Sequence, residues 1–231
     1  MTRAVIVVEG KSEFIFVQTF IQQLAGTLKY SLTLFTLRDR VIAEGTRGYP
    51  EEEASFRIQL INVEGERVRS YIEDNLAALK QKGMVCILGL HDRYTGSKRK
   101  APPNVSANEA RDTRLSAQWG LLISVTIACQ EVEAWFLGAP SFFLAFHNSL
   151  DLDTINDVLG YQLTTCDLET IPHPAAEIDK ALRSVGMSYT KKTAEIYRLV
   201  TNLDIEELYL TQRTRIPSWD KFCGNLEQCL Q

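Results

Sequence analysis

The chain has 231 residues, with 25 Lys and Arg against 29 Asp and Glu, a formal net charge of −4 and 45% hydrophobic residues. This is ordinary globular composition for one generous domain, or one domain with an appended lobe, and it excludes collagen, coiled coil and extended disorder. The acidic balance gives no electrostatic case for nonspecific nucleic-acid binding, which calls for a basic excess or stripe.

Five cysteines, odd in number and without a C-x-x-C pair, suggest neither a zinc ribbon nor a disulfide framework, so a cytoplasmic, reducing setting is expected. The opening MTRAVIVVEG is too short in its apolar run for a signal peptide. No stretch approaches the roughly 18 apolar residues of a membrane helix, so no membrane partner is expected.

Ala4–Val8 is a continuous β-branched run, as in a strand buried on both faces of a parallel sheet. It runs into Glu9-Gly10-Lys11-Ser12, with Ser12 a candidate N-cap, and then Phe14, Val17, Ile21 and Leu24 follow at helical spacing. A second strand is expected near Leu32–Leu37, and the Gly-, Glu- and Arg-rich stretch 38–56 reads as irregular. Val68, Tyr71, Ile72, Leu76 and Leu79 predict an amphipathic helix, and Met84–Leu90 a third buried strand. Ser97–Asn108, with SKRK and two prolines, reads as a long exposed loop before a short helix at Ala110–Gln118 and a fourth strand at Leu121–Ala128. Beyond Asp151 the strand signal ends, and helices are expected at Thr154–Leu159, Pro174–Val185, Lys191–Leu203, Ile205–Tyr209 and Pro217–Leu230. The pattern predicts a doubly wound α/β core over 1–150, with a mainly parallel four-stranded sheet flanked by helices, and an all-α C-terminal lobe over 151–231 packed on it.

Ligand sites of open α/β sheets form outside the carboxyl ends of the strands. The first strand ends at Glu9, with Glu13 one helical turn later; the third ends in His91-Asp92; the fourth leads to Glu131 and Glu133. If residues 131–133 are extended, both of those carboxylates point the same way. Five acids at one sheet edge imply a cation, and an all-oxygen donor set favours Mg²⁺ or Mn²⁺ over zinc. Taken singly, each acid also has a plainer role: Glu13 as partner of a helix dipole, Asp92 as a turn or cap residue, and Glu131 and Glu133 as surface groups.

The strings VVEGKSE (Val7–Glu13), LHDRY (Leu90–Tyr94) and CQEVEAW (Cys129–Trp135), in this order, resemble the three motifs of toprim domains. The likeness is to toprim nucleases of the OLD (overcoming lysogenization defect) type and, most closely, to the small toprim-like domain-of-unknown-function family 4276 of bacterial defence loci. The C-terminal run from Pro174 to Leu230, with Tyr189-Thr190-Lys191-Lys192 ahead of a helix, is similar too. The resemblance implies a toprim-like fold and a Mg²⁺-dependent nuclease that cleaves DNA or RNA. It implies Glu9, Glu13, Asp92, Glu131 and Glu133 as metal ligands, with Glu9 also orienting water. Lys191 or Lys192 would stabilise the phosphate, unless they only form a solvated helix start. Many toprim domains carry a second acid two residues after the Asp; here that position is Tyr94, which removes one ligand.

Arg93, Lys98, Arg99 and Lys100 form a basic stretch after Asp92 suited to phosphate contacts, or to solubility alone. Related proteins often sit beside an ABC- or AAA-type ATPase as toxin-like effectors of antiviral defence. This chain has no G-x-x-x-x-G-K-[ST], so ATP hydrolysis would fall to a partner. The likeness also leaves room for a homo-oligomer. Two rival readings are a toprim-fold binding or regulatory module that docks an ATPase through its carboxylates, and a Rossmann-like enzyme. The second lacks its G-x-G-x-x-G fingerprint. Without the five candidate ligands the formal charge of −4 becomes +1, so the acidic balance that spoke against nucleic acid resides largely in the candidate site itself.

Overall fold

The β-branched opening of the chain forms a strand at the heart of a six-stranded sheet. A computed structural model describes residues 2–26, 28–38, 40–65, 67–93 and 104–231, the side chains at 38, 40–44 and 93 excepted. β1 (Thr2–Val8) leads into α1 (Lys11–Ala25). β2 (Tyr30–Arg38) and β3 (Arg40–Gly48) precede β4 (Phe56–Asn62), α2 (Val68–Gln81), β5 (Cys86–Arg93), α3 (Val105–Trp119) and β6 (Leu122–Cys129). The sheet order is β3-β2-β4-β1-β5-β6. β1 pairs in parallel with β4 and β5, β4 pairs in parallel with β2, and the edge strand β3 pairs antiparallel to its neighbour, β2.

The sheet is therefore six-stranded rather than four-stranded. β3 lies within the stretch expected to be irregular; an edge strand needs no continuous apolar face, and its glycines and charges gave no strand signal. β4 is a central strand whose Ile58, Leu60 and Ile61 are buried. Gly10, not Ser12, caps α1, and it does so without a side-chain hydrogen bond. α3 starts earlier than expected, at Val105, because the Asn104 side chain accepts from the Ala107 amide.

The chain divides into two compact units, neither of them a continuous stretch: Met1–His91 with Pro103–Ile127 and Lys221–Gln231, and Asp92–Pro102 with Ala128–Asp220. In the first unit, side chains alternate across the sheet as strand geometry requires. Val5, Val7, Ile61, Val63, Ile87 and Val125 form one core with Val68, Ile72, Leu76 and Leu79 of α2. A Cβ at Gly89 would come within 2.9–3.0 Å of Val68, Ile72 and Val125, so glycine permits this close approach. A part-buried ion pair stitches the same layer: Arg69 Nη1 lies 2.7 Å from Asp112 Oδ1, and Asp112 Oδ2 accepts from the Val125 amide at 2.8 Å.

The helical part supplies α4 (Glu133–Phe136), α5 (Phe142–Phe146), α6 (Leu152–Leu159), α7 (Pro174–Arg183), α8 (Thr193–Thr201), α9 (Ile205–Thr211) and α10 (Pro217–Cys229), with a 3-10 turn at Leu168–Thr170. Phe222 of α10 packs against Phe20 of α1 at 6.4 Å between ring centroids. Cys86 of β5 and Cys229 of α10 are joined as a disulfide with Cα atoms 5.6 Å apart, a pairing that the sequence spacing did not suggest. The core of the second unit centres on Trp135 and Trp219, fully buried with ring centroids 5.1 Å apart. The Trp135 indole donates to Ser218 Oγ and the Trp219 indole to the Leu208 carbonyl, so each buried N–H is satisfied. Among the described residues, no helix is long and apolar enough to cross a membrane.

Candidate functional site

Acidic residues stand just after β1 and β6 and at the end of β5, strands that are neighbours in the sheet. In the first unit, Glu13 is buried in the first turn of α1, where a carboxylate is favoured by the helix dipole. A Cβ at Gly10 would sit 2.9 Å from Glu13 Oε2, so the glycine leaves room for the carboxylate to fold back over the turn. Glu9 is partly exposed, and its Oε2 lies 4.0 Å from His91 Nδ1, beyond hydrogen-bonding distance.

In the second unit, Asp92 Oδ1 accepts from the Val132 amide at 3.0 Å, which ties the end of β5 to the segment after β6. That segment is not extended. Val132 is in right-handed helical geometry and α4 begins at Glu133, so Glu131 and Glu133 do not point the same way by strand periodicity. They are brought together by Lys191 instead. Its Nζ donates to Glu131 Oε1 at 2.9 Å and to Glu133 Oε2 at 3.0 Å. The opposite oxygens are also engaged: Glu131 Oε2 accepts from the Ala175 amide at the start of α7, and Glu133 Oε1 from the Tyr189 hydroxyl, both at 3.0 Å. Glu131 is 6% exposed and Glu133 0%, so all four contacts compensate carboxylates removed from water.

Burial pulls the Lys191 pKa down, but the carboxylates of Glu133, Glu131 and Asp92 outweigh it and hold the ammonium well above the ordinary lysine value. Lys191 is therefore not part of a solvated helix start: it precedes α8 and has a left-handed backbone, with φ 57°. Lys192, by contrast, is exposed at the N-cap of α8 and contributes its amide to Glu195. Arg93, whose side chain is not described, and Tyr94, Lys98, Arg99 and Lys100 lie outside the described residues.

The donors are carboxylate oxygens, which suit a hard divalent ion in kind. Among the described residues, however, no group of three or more His, Cys, Asp or Glu side chains stands in a metal-holding arrangement. Between Glu131 and Glu133 the Lys191 ammonium is seated. Sequence reasoning gave no role to Tyr189 or to the Ala175 amide. The only signal for Tyr189 was its place in the Tyr189-Thr190-Lys191-Lys192 string.

No family model and no curated protein matches the chain. Solved structures do show similarity. The C-terminal region of the Burkholderia pseudomallei OLD protein is similar over 100% of both chains, at 14% identity and a TM-score of 0.46. The C-terminal region of the Xanthomonas campestris pv. campestris OLD protein is similar over 99% of this chain and 98% of that one, at 18% identity and a TM-score of 0.39.

Proposed function

We propose that the chain is a Mg²⁺-dependent phosphodiesterase that cleaves DNA or RNA, nearest in its motifs to the small toprim-like family 4276. In this reading it is the effector of an ATPase-coupled antiviral system. The observation that carries the reading is that acids stand at or just after the ends of three adjacent strands, β1, β5 and β6, and that Glu13, Glu131 and Glu133 among them are buried. Burying carboxylates costs stability unless they are compensated, and their gathering near one sheet edge supports a functional role for them.

In this reading Glu9, Glu13, Asp92, Glu131 and Glu133 would hold the ion. A bound Mg²⁺ supplies Lewis-acid stabilisation of the phosphoryl oxygen and an acidified water. The chain's own part is electrostatic and positional. Asp92 is fixed by the Val132 amide, and Lys191 offers a cation for charge developing on the phosphate. Glu9 would orient the attacking water.

The test is incubation with plasmid DNA, single strands and bulk tRNA in Mg²⁺ and in Mn²⁺, alone and with a neighbouring ATPase. Cleavage should fall by about 100-fold or more in Asp92→Ala, the scale of losing one group that stabilises the transition state. Cleavage that survives Asp92→Ala would place the chemistry elsewhere. The rival reading, a binding or regulatory module, is favoured by Tyr94 at the second acid position and by the closed Glu131–Lys191–Glu133 arrangement. It predicts no cleavage under any condition, together with binding to the ATPase that is lost when Glu9 and Asp92 are replaced.

A further inference from the structure

We infer that the cleft between α2 and the carboxyl ends of β2 and β4 takes one unstacked nucleotide, guanine in preference to uracil. The inference rests on the reading that the chain acts on nucleic acid, and it adds where a base beside the cleavage point is held.

The cleft has a volume of about 320 Å³, and all the residues that line it belong to the first unit. Clefts for small ligands run from about 300 to 1,000 Å³, so this one has room for a single nucleotide and not for a duplex. Its place is the one where open α/β sheets take ligands, outside the carboxyl ends of the strands. Leu37 stands next to the last residue of β2, and Val63 follows the last residue of β4. Both line the cleft, and its other wall is built from Arg67, Tyr71, Asp74 and Asn75, which share one face of α2 and its N-cap.

Backbone hydrogen bonds set this wall beside the end of β1. The Val63 amide donates to the Val8 carbonyl at 3.0 Å, and the Gly65 amide to the Glu9 carbonyl at 3.1 Å. The cleft therefore begins one strand spacing, about 4.8 Å, from the strand that ends at Glu9. A nucleic-acid strand that passes Glu9 brings a neighbouring base to its mouth.

The lining chemistry selects the ligand. Leu37 and Tyr71 pack on the hydrophobic core of the sheet, and Val63 is buried, so the floor is apolar and suits a flat ring. Around it stand polar groups that the fold does not use. Among the described residues, the Asp74 carboxylate and the Tyr71 hydroxyl have no hydrogen-bond partner. Asn75 donates its amide nitrogen to the Tyr71 carbonyl at 2.8 Å, which leaves its side-chain oxygen as an acceptor. Arg67 reaches the Val63 and Glu64 carbonyls only at 3.3–3.4 Å, and among the described residues no carboxylate pairs with it.

Asp74 and Asn75 thus offer adjacent acceptors, and Arg67 an exposed cation at the rim. Guanine presents two neighbouring donors on its Watson–Crick edge, N1–H and the N2 amino group, whereas uracil presents one donor between two acceptors. A carboxylate accepts the guanine pair in bidentate fashion, and a guanidinium meets the flanking phosphate. The Asp74 charge repels phosphate, so the base enters and the phosphate stays with Arg67. Entry requires the base to leave its stack, which costs least in a single strand or at a frayed end.

The test is a titration of the full ¹⁵N-labelled chain in EDTA with guanosine 5′-monophosphate, uridine 5′-monophosphate and inorganic phosphate, read by amide shifts. Guanosine monophosphate should shift the amides of residues 67–75 and bind at least about fivefold more tightly than uridine monophosphate, the low end for one bidentate base contact. Asp74→Ala should abolish that preference, and Arg67→Ala should weaken both mononucleotides alike. Affinities equal within about twofold, or a preference that survives Asp74→Ala, overturn the inference. So do shifts confined to other residues, phosphate binding as tightly as guanosine monophosphate, and no binding at about 10 mM. Because metal is absent, these outcomes leave the cleavage assay to judge the nuclease reading by itself. The expected binding in a protein that cleaves nothing supports the cleft and overturns that reading alone.

Discussion

Replacing Tyr189 by Phe removes one atom from the clasp in which Lys191 and Tyr189 hold Glu131 and Glu133. The hydroxyl donates to Glu133 Oε1 at 3.0 Å, and both residues are buried, at 4% and 0% exposure. Loss of an oxygen leaves almost no cavity, so the packing penalty of large-to-small substitutions does not enter. What is lost is a hydrogen bond to a charged group, worth about 1.5–3 kcal/mol. Lys191 still holds the other oxygen, so Glu133 keeps a counter-charge, and the loss should be about 2 kcal/mol rather than the larger cost of an unpaired buried ion. At about 2–4 °C per kcal/mol for a chain of this size, Tm should fall by about 4–8 °C. Tryptophan fluorescence suits the measurement because Trp135 and Trp219, 5.1 Å apart, both belong to the unit that carries the clasp. A double-mutant cycle with Glu133→Gln isolates the contact and should give a coupling of about 1–2 kcal/mol. A Tm change below about 1 °C, or additivity within about 0.3 kcal/mol, would refute the claim that this hydroxyl compensates the carboxylate.

Other outcomes follow from the remaining buried groups. Asp112→Ala leaves the part-buried Arg69 guanidinium with Glu73 alone, at 3.9 Å, and strands the Val125 amide, and should cost about 1–3 kcal/mol in urea unfolding; a loss below about 0.5 kcal/mol would contradict the ion pair. Thiol titration of denatured, unreduced protein should count Cys129, Cys166 and Cys223 only, and Cys229→Ser should cost up to about 5 kcal/mol for a cross-link closing 143 residues. Five reactive thiols would refute the bond. Acid should loosen the segment around Tyr189 and Thr190. Burial raises the pKa values of Asp179 and Glu195, but hydrogen bonds from the Tyr189 amide and Arg183, and from the Thr190 and Lys192 amides, outweigh it and hold them below the usual 3.8 and 4.5. A depressed carboxylate contributes fully above its unfolded pKa and loses that contribution as pH falls through the folded one, so amide exchange at residues 189 and 190 should accelerate beyond its intrinsic rate below about pH 4. Unchanged protection down to about pH 3 would contradict it.

The fold was legible where burial imposes a pattern. The all-β-branched Ala4–Val8 run became a central strand, and the apolar periodicities after Asp151 became α6 to α10 within a few residues of their expected ends. β3 was hidden because an edge strand can be built from Arg, Glu, Gly and Thr once its neighbour supplies the hydrogen bonds. The Cys86–Cys229 pairing was hidden for another reason: residues far apart in sequence meet only when a C-terminal helix returns to a central strand. The acidic positions themselves were readable from strand ends. The conformation around them was not, because the change from strand to turn at Gln130 depends on a left-handed residue that no side-chain pattern announces.

The charge argument shows most clearly what sequence can carry. Five acids near three strand ends imply a counter-charge, and that inference is sound electrostatics. It does not specify the source of the charge. For Glu131 and Glu133 the chain supplies it from Lys191, with Tyr189 and the Ala175 amide completing the compensation. Neither the −4 of the whole chain nor the spacing of the acids could reveal this, because a lysine ahead of a helix looks the same in sequence whether it faces water or buried carboxylates. A carboxylate pair already compensated internally, by one ammonium and two neutral donors, is stable without metal, so folding and metal loading become separable events. The protein should therefore keep its fold in a chelator, unlike small metal-dependent domains whose binding energy is their folding energy. A thermal midpoint that collapses on adding EDTA would show that the resident ammonium does not suffice, and would return the counter-charge to an external ion.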